Sequence, residues 1–148
     1  MGRTAASTGP PAVKRYLLDT NIVSYFLKGI HPGLHGRMRL ALQAQDIAIS
    51  AITRAELRYG QQLMAADDKR RARIDLLLED LPVMPWNTAA ADIYGEIAAL
   101  LRRQGTPIGE MDTQIAAHAL AENLILVTHN TRHFERIPGL RLEDWMDG

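Results

Sequence analysis

The segment Leu124–Thr128, LILVT, constrains the fold most, because its apolar residues fall on both faces of an extended chain. A strand apolar on both sides belongs in a parallel sheet covered by helices above and below. Arg15–Asp19, RYLLD, and Ile47–Ser50, IAIS, read as short strands of the same kind. Leu81–Pro85 is a further one, kept short or at a sheet edge by its two prolines. Helical patterns fill the intervals. Thr20-Asn21 offers an N-cap for IVSYFLK, and Thr53 with Glu56 has the spacing of a capping box. GIHPGLHG reads as a connection, and a basic amphipathic helix follows over Leu34–Ala44. The charged stretch DDKRRARIDLLLED is helical by its Ile74, Leu77 and Leu78 spacing. Thr88–Arg103 is a helix ended by Gly105 and Pro107, and Asp112–Glu122 places Ile115, Ala116, Ala119 and Leu120 on one face. Buried strands alternating with helices predict the α/β class with a parallel sheet.

A length of 148 residues suits one domain, drawn here as residues 15–148 behind a flexible tail of residues 1–14. The tail begins MGRTAASTGPP and has no apolar core, so it does not read as a secretory signal. No apolar run approaches the ~20 residues of a membrane span. With no cysteine, the chain has no disulfide, thiolate metal site or cysteine nucleophile. This fits a reducing compartment, and a cytoplasmic location is expected. The 17 basic and 17 acidic residues cancel, which argues against indiscriminate coating of nucleic acid. The balance is uneven: residues 1–60 carry +5 and residues 61–148 carry −5. Fourteen of the basic residues are arginine, the side chain suited to bidentate phosphate or carboxylate contacts.

Ligands of open parallel sheets gather at the carboxyl ends of the strands. Asp19 ends the first strand, Glu56 lies one turn into the helix after the second, and Asp112 opens a helix behind Gly109. If these ends meet, three carboxylates converge and repel one another unless a cation joins them. Oxygen-only ligands favour a hard ion, Mg2+ or Mn2+, over zinc. Such an ion suits phosphodiester hydrolysis. Each acid also has a plainer reading. Asp19 is a potential cap, although Thr20 and Asn21 already supply caps. Glu56 is a potential capping-box partner of Thr53, and Asp112 a first-turn acid favoured by the helix dipole.

Three stretches resemble the motifs of PIN-domain nucleases, especially the VapC toxins of type II toxin–antitoxin systems. They are LLDTNIVSYFLKG, ISAITRAELRYG and IGEMDTQIAAHALAENLILVTHNTRHFERIPGLRLEDW. They stand in order and with compatible spacing, and the resemblance runs from about Arg15 to Trp145. The resemblance implies a three-layer α/β/α sandwich around a central, mainly parallel sheet. It implies a Mg2+- or Mn2+-dependent endoribonuclease cutting structured RNA, with initiator tRNA cut in its anticodon loop as the substrate most like it. A VapB-type antitoxin, a homodimer, DNA contact only through the antitoxin, and no membrane partner are also implied.

By motif position, Asp19 and Asp112 carry over as metal ligands and Glu56 as a further acid or water-orienting group. Thr20, Asn21 and Thr128 carry over as supports. Many PIN domains have a fourth acid after the last strand; here VTHNTRHF puts Asn130 there, which can bind a metal or water but brings no charge. This favours one tightly held ion over two. Glu110 is a possible substitute acid. His129 and His133 invite general acid–base roles, but the family pattern does not require them, and surface or RNA-contact roles are preferred. His31 and His35 read as solvated loop residues, and His118 as a half-buried helix residue. Arg37, Arg39, Arg54 and Arg58 are candidates for the RNA backbone, with an antitoxin-facing surface as the equal alternative. Lys69–Arg73 reads as an exposed helix face. Tyr25 and Phe26 could stack on bases, with at least one in the core, and Trp86 and Trp145 read as structural.

Two rivals are weighed. A haloacid-dehalogenase-like phosphatase would want an Asp two residues after Asp19, where Asn21 stands. A catalytically weak PIN-fold protein would act only by binding antitoxin and DNA.

Overall fold

Five parallel strands form one sheet in the order β3-β2-β1-β4-β5. The structure is a computed structural model describing residues 13–146, so the expected tail lies almost wholly outside the described residues. In chain order the elements are β1 (Tyr16–Leu18), α1 (Thr20–Lys28), α2 (Pro32–Ala44), β2 (Ile47–Ser50), α3 (Ala51–Leu63) and α4 (Arg70–Asp80). Then come β3 (Val83–Met84), α5 (Thr88–Arg103), α6 (Glu110–Ala121), β4 (Ile125–Val127), α7 (Thr131–Phe134) and β5 (Leu142–Glu143). β1 pairs with β2 and β4 on its two sides, with Leu17 opposite both Ala48 and Leu126.

Strand side chains alternate between the two faces. Tyr16, Leu18, Ile47, Ile49 and Val127 pack on one side with Ile22, Val23, Leu34, Met38, Leu57 and Ile74 of α1 to α4. Leu17, Ala48 and Leu126 pack on the other with Ile97 and Leu101 of α5 and with α6. The result is three layers, helices on either side of the sheet. Ala116, Ala117 and Ala119 of α6 are fully buried, and their small side chains let that helix lie close to its neighbours.

Several boundaries differ from expectation for identifiable reasons. α2 begins at Pro32, two residues before Leu34, because proline at the first helical position has its backbone angle already set. Of the two histidines read as solvated loop residues, His31 does lie in the connection before α2, packed edge-on to Tyr25, whereas His35 is an exposed residue of α2 that stacks on Phe26. The cap of α1 is Asp19, not Thr20 or Asn21, and Ser50 caps α3 by accepting from the Ile52 N–H at 3.0 Å. Thr53 thus stands inside α3, and there is no capping box there. β3 has only two residues and lies at the sheet edge, as its prolines imply.

The other edge, β5, and the short α7 have no counterpart in the sequence reading. Behind β5, Trp145 is 2% exposed and meets the Tyr16 ring edge-on at 5.1 Å, closing the end of the chain onto β1.

Leu17 lies on the central strand with no exposure, so Leu17→Ala is expected to cost about 2–5 kcal/mol. The check is urea unfolding: the midpoint falls while the slope holds.

Candidate active site

The strand order reverses between β1 and β4, and in α/β sheets this is where a crevice opens at the carboxyl ends. Asp19 stands in that crevice. Its N–H extends the ladder by donating to the Val127 carbonyl at 3.0 Å, and its Oδ1 accepts from the Ile22 N–H at 2.8 Å. The residue is only 5% exposed. Burial pushes its carboxyl up to about 6; hydrogen bonds from Thr128 and from the Ile22 N–H oppose the rise, while the charges of Asp112 and Glu56 add to it. Asp112 and Glu56, far from Asp19 in sequence, line the same cavity as Asp19 in the folded chain.

Glu56 comes from the second turn of α3 and is aimed by Thr20. The Thr20 hydroxyl donates to Glu56 Oε1 at 2.5 Å and lies 3.2 Å from the hydroxyl of Thr53, which is fully buried. Thr20 therefore steadies Glu56 rather than Asp19, for which it was expected to be a support. Asp112 stands at the third position of α6. Gly109 precedes that helix at φ 97°, an angle that favours glycine, and Thr113 ties the turn by donating to the Gly109 carbonyl at 2.6 Å.

Asp19, Thr20, Asn21, Glu56, Glu110 and Asp112 line one cavity of about 410 Å3 together with Ile108, Gly109 and Met111. A second, of about 370 Å3, shares Asp19 and Asn21 and adds Tyr25, Thr128, His129 and Asn130. Asn130 precedes α7, and its own N–H donates to the Thr128 hydroxyl at 3.1 Å. The expected site residues thus line two joined halves of one crevice, with Glu110 at its exposed rim.

The histidines divide. His118 is not half-buried but fully so; its Nδ1 meets Ser50 Oγ at 2.8 Å, and burial holds its pKa below the usual range. His129 Nδ1 lies 3.0 Å from Asp144. His133 Nε2 lies 2.9 Å from both the Ile108 carbonyl and Asp112 Oδ2. The sequence carries no local signal for this contact, because residues 108, 112 and 133 meet only through the fold.

The arginines face other work. Arg58 bonds Asp75 of α4 at 2.6 Å and Gln61 at 2.8 Å, and Arg54 reaches the Leu78 carbonyl at 3.4 Å. Both guanidiniums join α3 to α4, and neither residue lines the acid crevice. Arg71 is not simply a surface charge: it donates to the Gln61 and Met64 carbonyls at the end of α3. Arg37 lies over the Trp145 ring at 4.5 Å.

The donor set suits a hard divalent cation. Asp19 and Asp112 offer carboxylate oxygen, and the buried carboxyl of Asp19 gains most from a positive neighbour. Among the described residues, no three His, Asp or Glu side chains are grouped closely enough to hold a metal ion by themselves.

The fold and the acid crevice define a class, and sequence comparison agrees with it: the chain belongs to the PIN domain family, whose profile matches residues 16–140. Within that family its relatives are VapC ribonucleases. It is 40% identical to the tRNA(fMet)-specific endonuclease VapC of Salmonella typhimurium over 131 residues, 88% of this chain and 98% of the relative. It is 41% identical to a ribonuclease VapC of Haemophilus influenzae over 132 residues, 89% and 98% of the two chains. The structure resembles the DNA-bound VapBC complex of Salmonella typhimurium with a TM-score of 0.83 and 38% identity, covering 90% of this chain and 99% of that one. It resembles VapBC2 of Rickettsia felis, bound to a promoter DNA fragment, with a TM-score of 0.79 and 36% identity, covering 88% and 98%. Among the described residues, no helix is long and apolar enough to cross a membrane.

The raised pKa of Asp19 gives a signed prediction. Between about 3.8 and about 6 the folded chain holds this proton more tightly than the unfolded chain does. Stability from this group therefore falls as pH rises through that window. The loss is complete above about 6, absent below the unfolded value, and about 3 kcal/mol in size. Asp19→Asn keeps a cap but removes the charge. In chelator at pH 7.5 the variant is expected to melt above the wild type, with the gap closing by pH 4. Comparing the two proteins cancels Asp68 and Asp75, whose carboxyls are held low by Arg70 and by Gln61 with Arg58.

Proposed function

We propose that this chain is the toxin of a type II toxin–antitoxin pair, a Mg2+-dependent endoribonuclease held in check by a VapB-type antitoxin. The observation that carries this reading is that Asp19, Glu56 and Asp112, far apart in sequence, line one open crevice at the strand ends. The relatives' activity on tRNA(fMet) supports initiator tRNA as substrate, with the anticodon loop as the accessible single-stranded region. The VapBC complexes among the structural relatives support the antitoxin, and those bound to DNA support DNA contact through it. The proposal includes a homodimer and a cytoplasmic site of action, where tRNA is found.

In this mechanism Asp19 and Asp112 are the residues that hold the ion. Asp19 is fixed by the Ile22 N–H, and Asp112 is carried on the first turn of α6. Held there, Mg2+ would supply positive charge beside the phosphate oxygens and lower the pKa of a bound water. Glu56, aimed by Thr20, receives the proton of the attacking water. Asn21 and Asn130, both exposed in the crevice, offer amides to water or to the substrate. Water adds to phosphorus, the P–O3′ bond breaks, the departing O3′ takes a proton from solvent, and the ends are 5′-phosphate and 3′-hydroxyl. Mn2+ is the expected substitute ion.

The test is cleavage of initiator tRNA with Mg2+, beside Asp19→Asn and Asp112→Asn. Each variant is expected to lose about 10²–10⁴-fold in rate, the scale of losing a general base or a charge stabiliser. Chelator should silence the wild type. Equal cleavage by all three proteins would remove the carboxylate mechanism. Growth arrest on expression that survives Asp19→Asn would point to binding without catalysis.

A further inference from the structure

His133 belongs to α7, a helix of four residues, yet its ring reaches across to the start of α6. Its Nε2 stands 2.9 Å from the Ile108 carbonyl and 2.9 Å from Asp112 Oδ2. Both partners are pure acceptors once the carboxyl is ionised, so Nε2 carries the hydrogen and shares it between them. This assignment holds whether the ring is neutral or charged. The ring is braced edge-on against Phe134 at 5.2 Å, and Phe134 is 1% exposed. The donor is thus mounted on the core.

The contact fixes two things at once. It pins the backbone just before Gly109, where the chain turns into α6 at positive φ. It also occupies one oxygen of Asp112. A carboxylate at the third position of a helix is free to fold back towards the helix start. In this chain His133 holds Oδ2 and leaves Oδ1 as the oxygen available to the crevice. The Asp112 side chain is 42% exposed, so without such a tether it would keep its rotamer freedom.

We propose that His133 is a positioning residue for Asp112, presenting one fixed carboxylate oxygen to the divalent cation. The role is that of an outer partner that orients a metal ligand, and losing such a partner typically costs 10–100-fold in affinity. The inference rests on the metal reading of Asp112 given above.

The experiment measures Mn2+ binding by electron paramagnetic resonance, without RNA, for the wild type, Asp112→Asn, His133→Gln, His133→Asn and His133→Phe. A thermal melt in chelator accompanies each. A Gln amide nitrogen reaches the place of Nε2, an Asn amide reaches only the place of Nδ1, and Phe keeps the ring without a donor. Expected is affinity close to wild type for His133→Gln, and about 10–100-fold weaker binding for His133→Asn and His133→Phe. Wild-type affinity in His133→Phe would overturn the proposal. So would His133→Gln binding as weakly as His133→Asn at equal melting temperature. Should His133→Phe fail to fold, the Gln and Asn pair decides. Wild-type affinity in Asp112→Asn would instead sink the metal reading of Asp112, a separate failure.

Discussion

The burial of one carboxylate governs the centre of this protein. Asp19 is nearly inaccessible, caps α1, and feels the negative charge of two other acids. An arrangement of this kind raises the energy of the ionised state. The Ile22 N–H and the Thr128 hydroxyl relieve part of that, and a divalent cation in the crevice would relieve the rest. Perturbed acids in an open cleft are a mark of functional sites, where charge is held ready for a ligand. Here the chain accepts an unfavourable carboxylate at the point where the sheet's strand order reverses.

The sheet was readable because its central strands are short apolar runs that alternate sides. Ile47–Ser50 was found with the observed limits, and Thr88–Arg103 likewise, since Asn87 precedes and Gly105 follows its apolar period. The Gly, Pro and His of GIHPGLHG hide the start of α2, whereas Pro32 sits where a helix tolerates it best. β5 and α7 carried too few residues for any period to show; the strand exists because Leu142 and Glu143 find partners at Leu126 and Val127.

The site was legible to a different degree. The three acids stood out by their place at strand ends, and the family resemblance set their order. Local spacing misled at two points: Thr53 and Glu56 have a capping-box interval, yet Ser50 caps the helix and Glu56 answers to Thr20 across 36 positions. Nothing in a linear reading ties His133 to Asp112, or Arg58 to Asp75, because these pairs are made by packing. The arginines show the limit of counting charge. Placed near Glu56 in sequence, Arg54 and Arg58 turn to α4, where with Gln61 and Arg71 they bind two helices together.

Whether Asp19 and Asp112 share one divalent ion is tested most directly by diffraction from crystals soaked in Mn2+, using the anomalous signal of the metal. A peak in the crevice within bonding distance of both carboxylates is the expected result. A crevice without a peak at saturating Mn2+, or a peak touching neither acid, would contradict it.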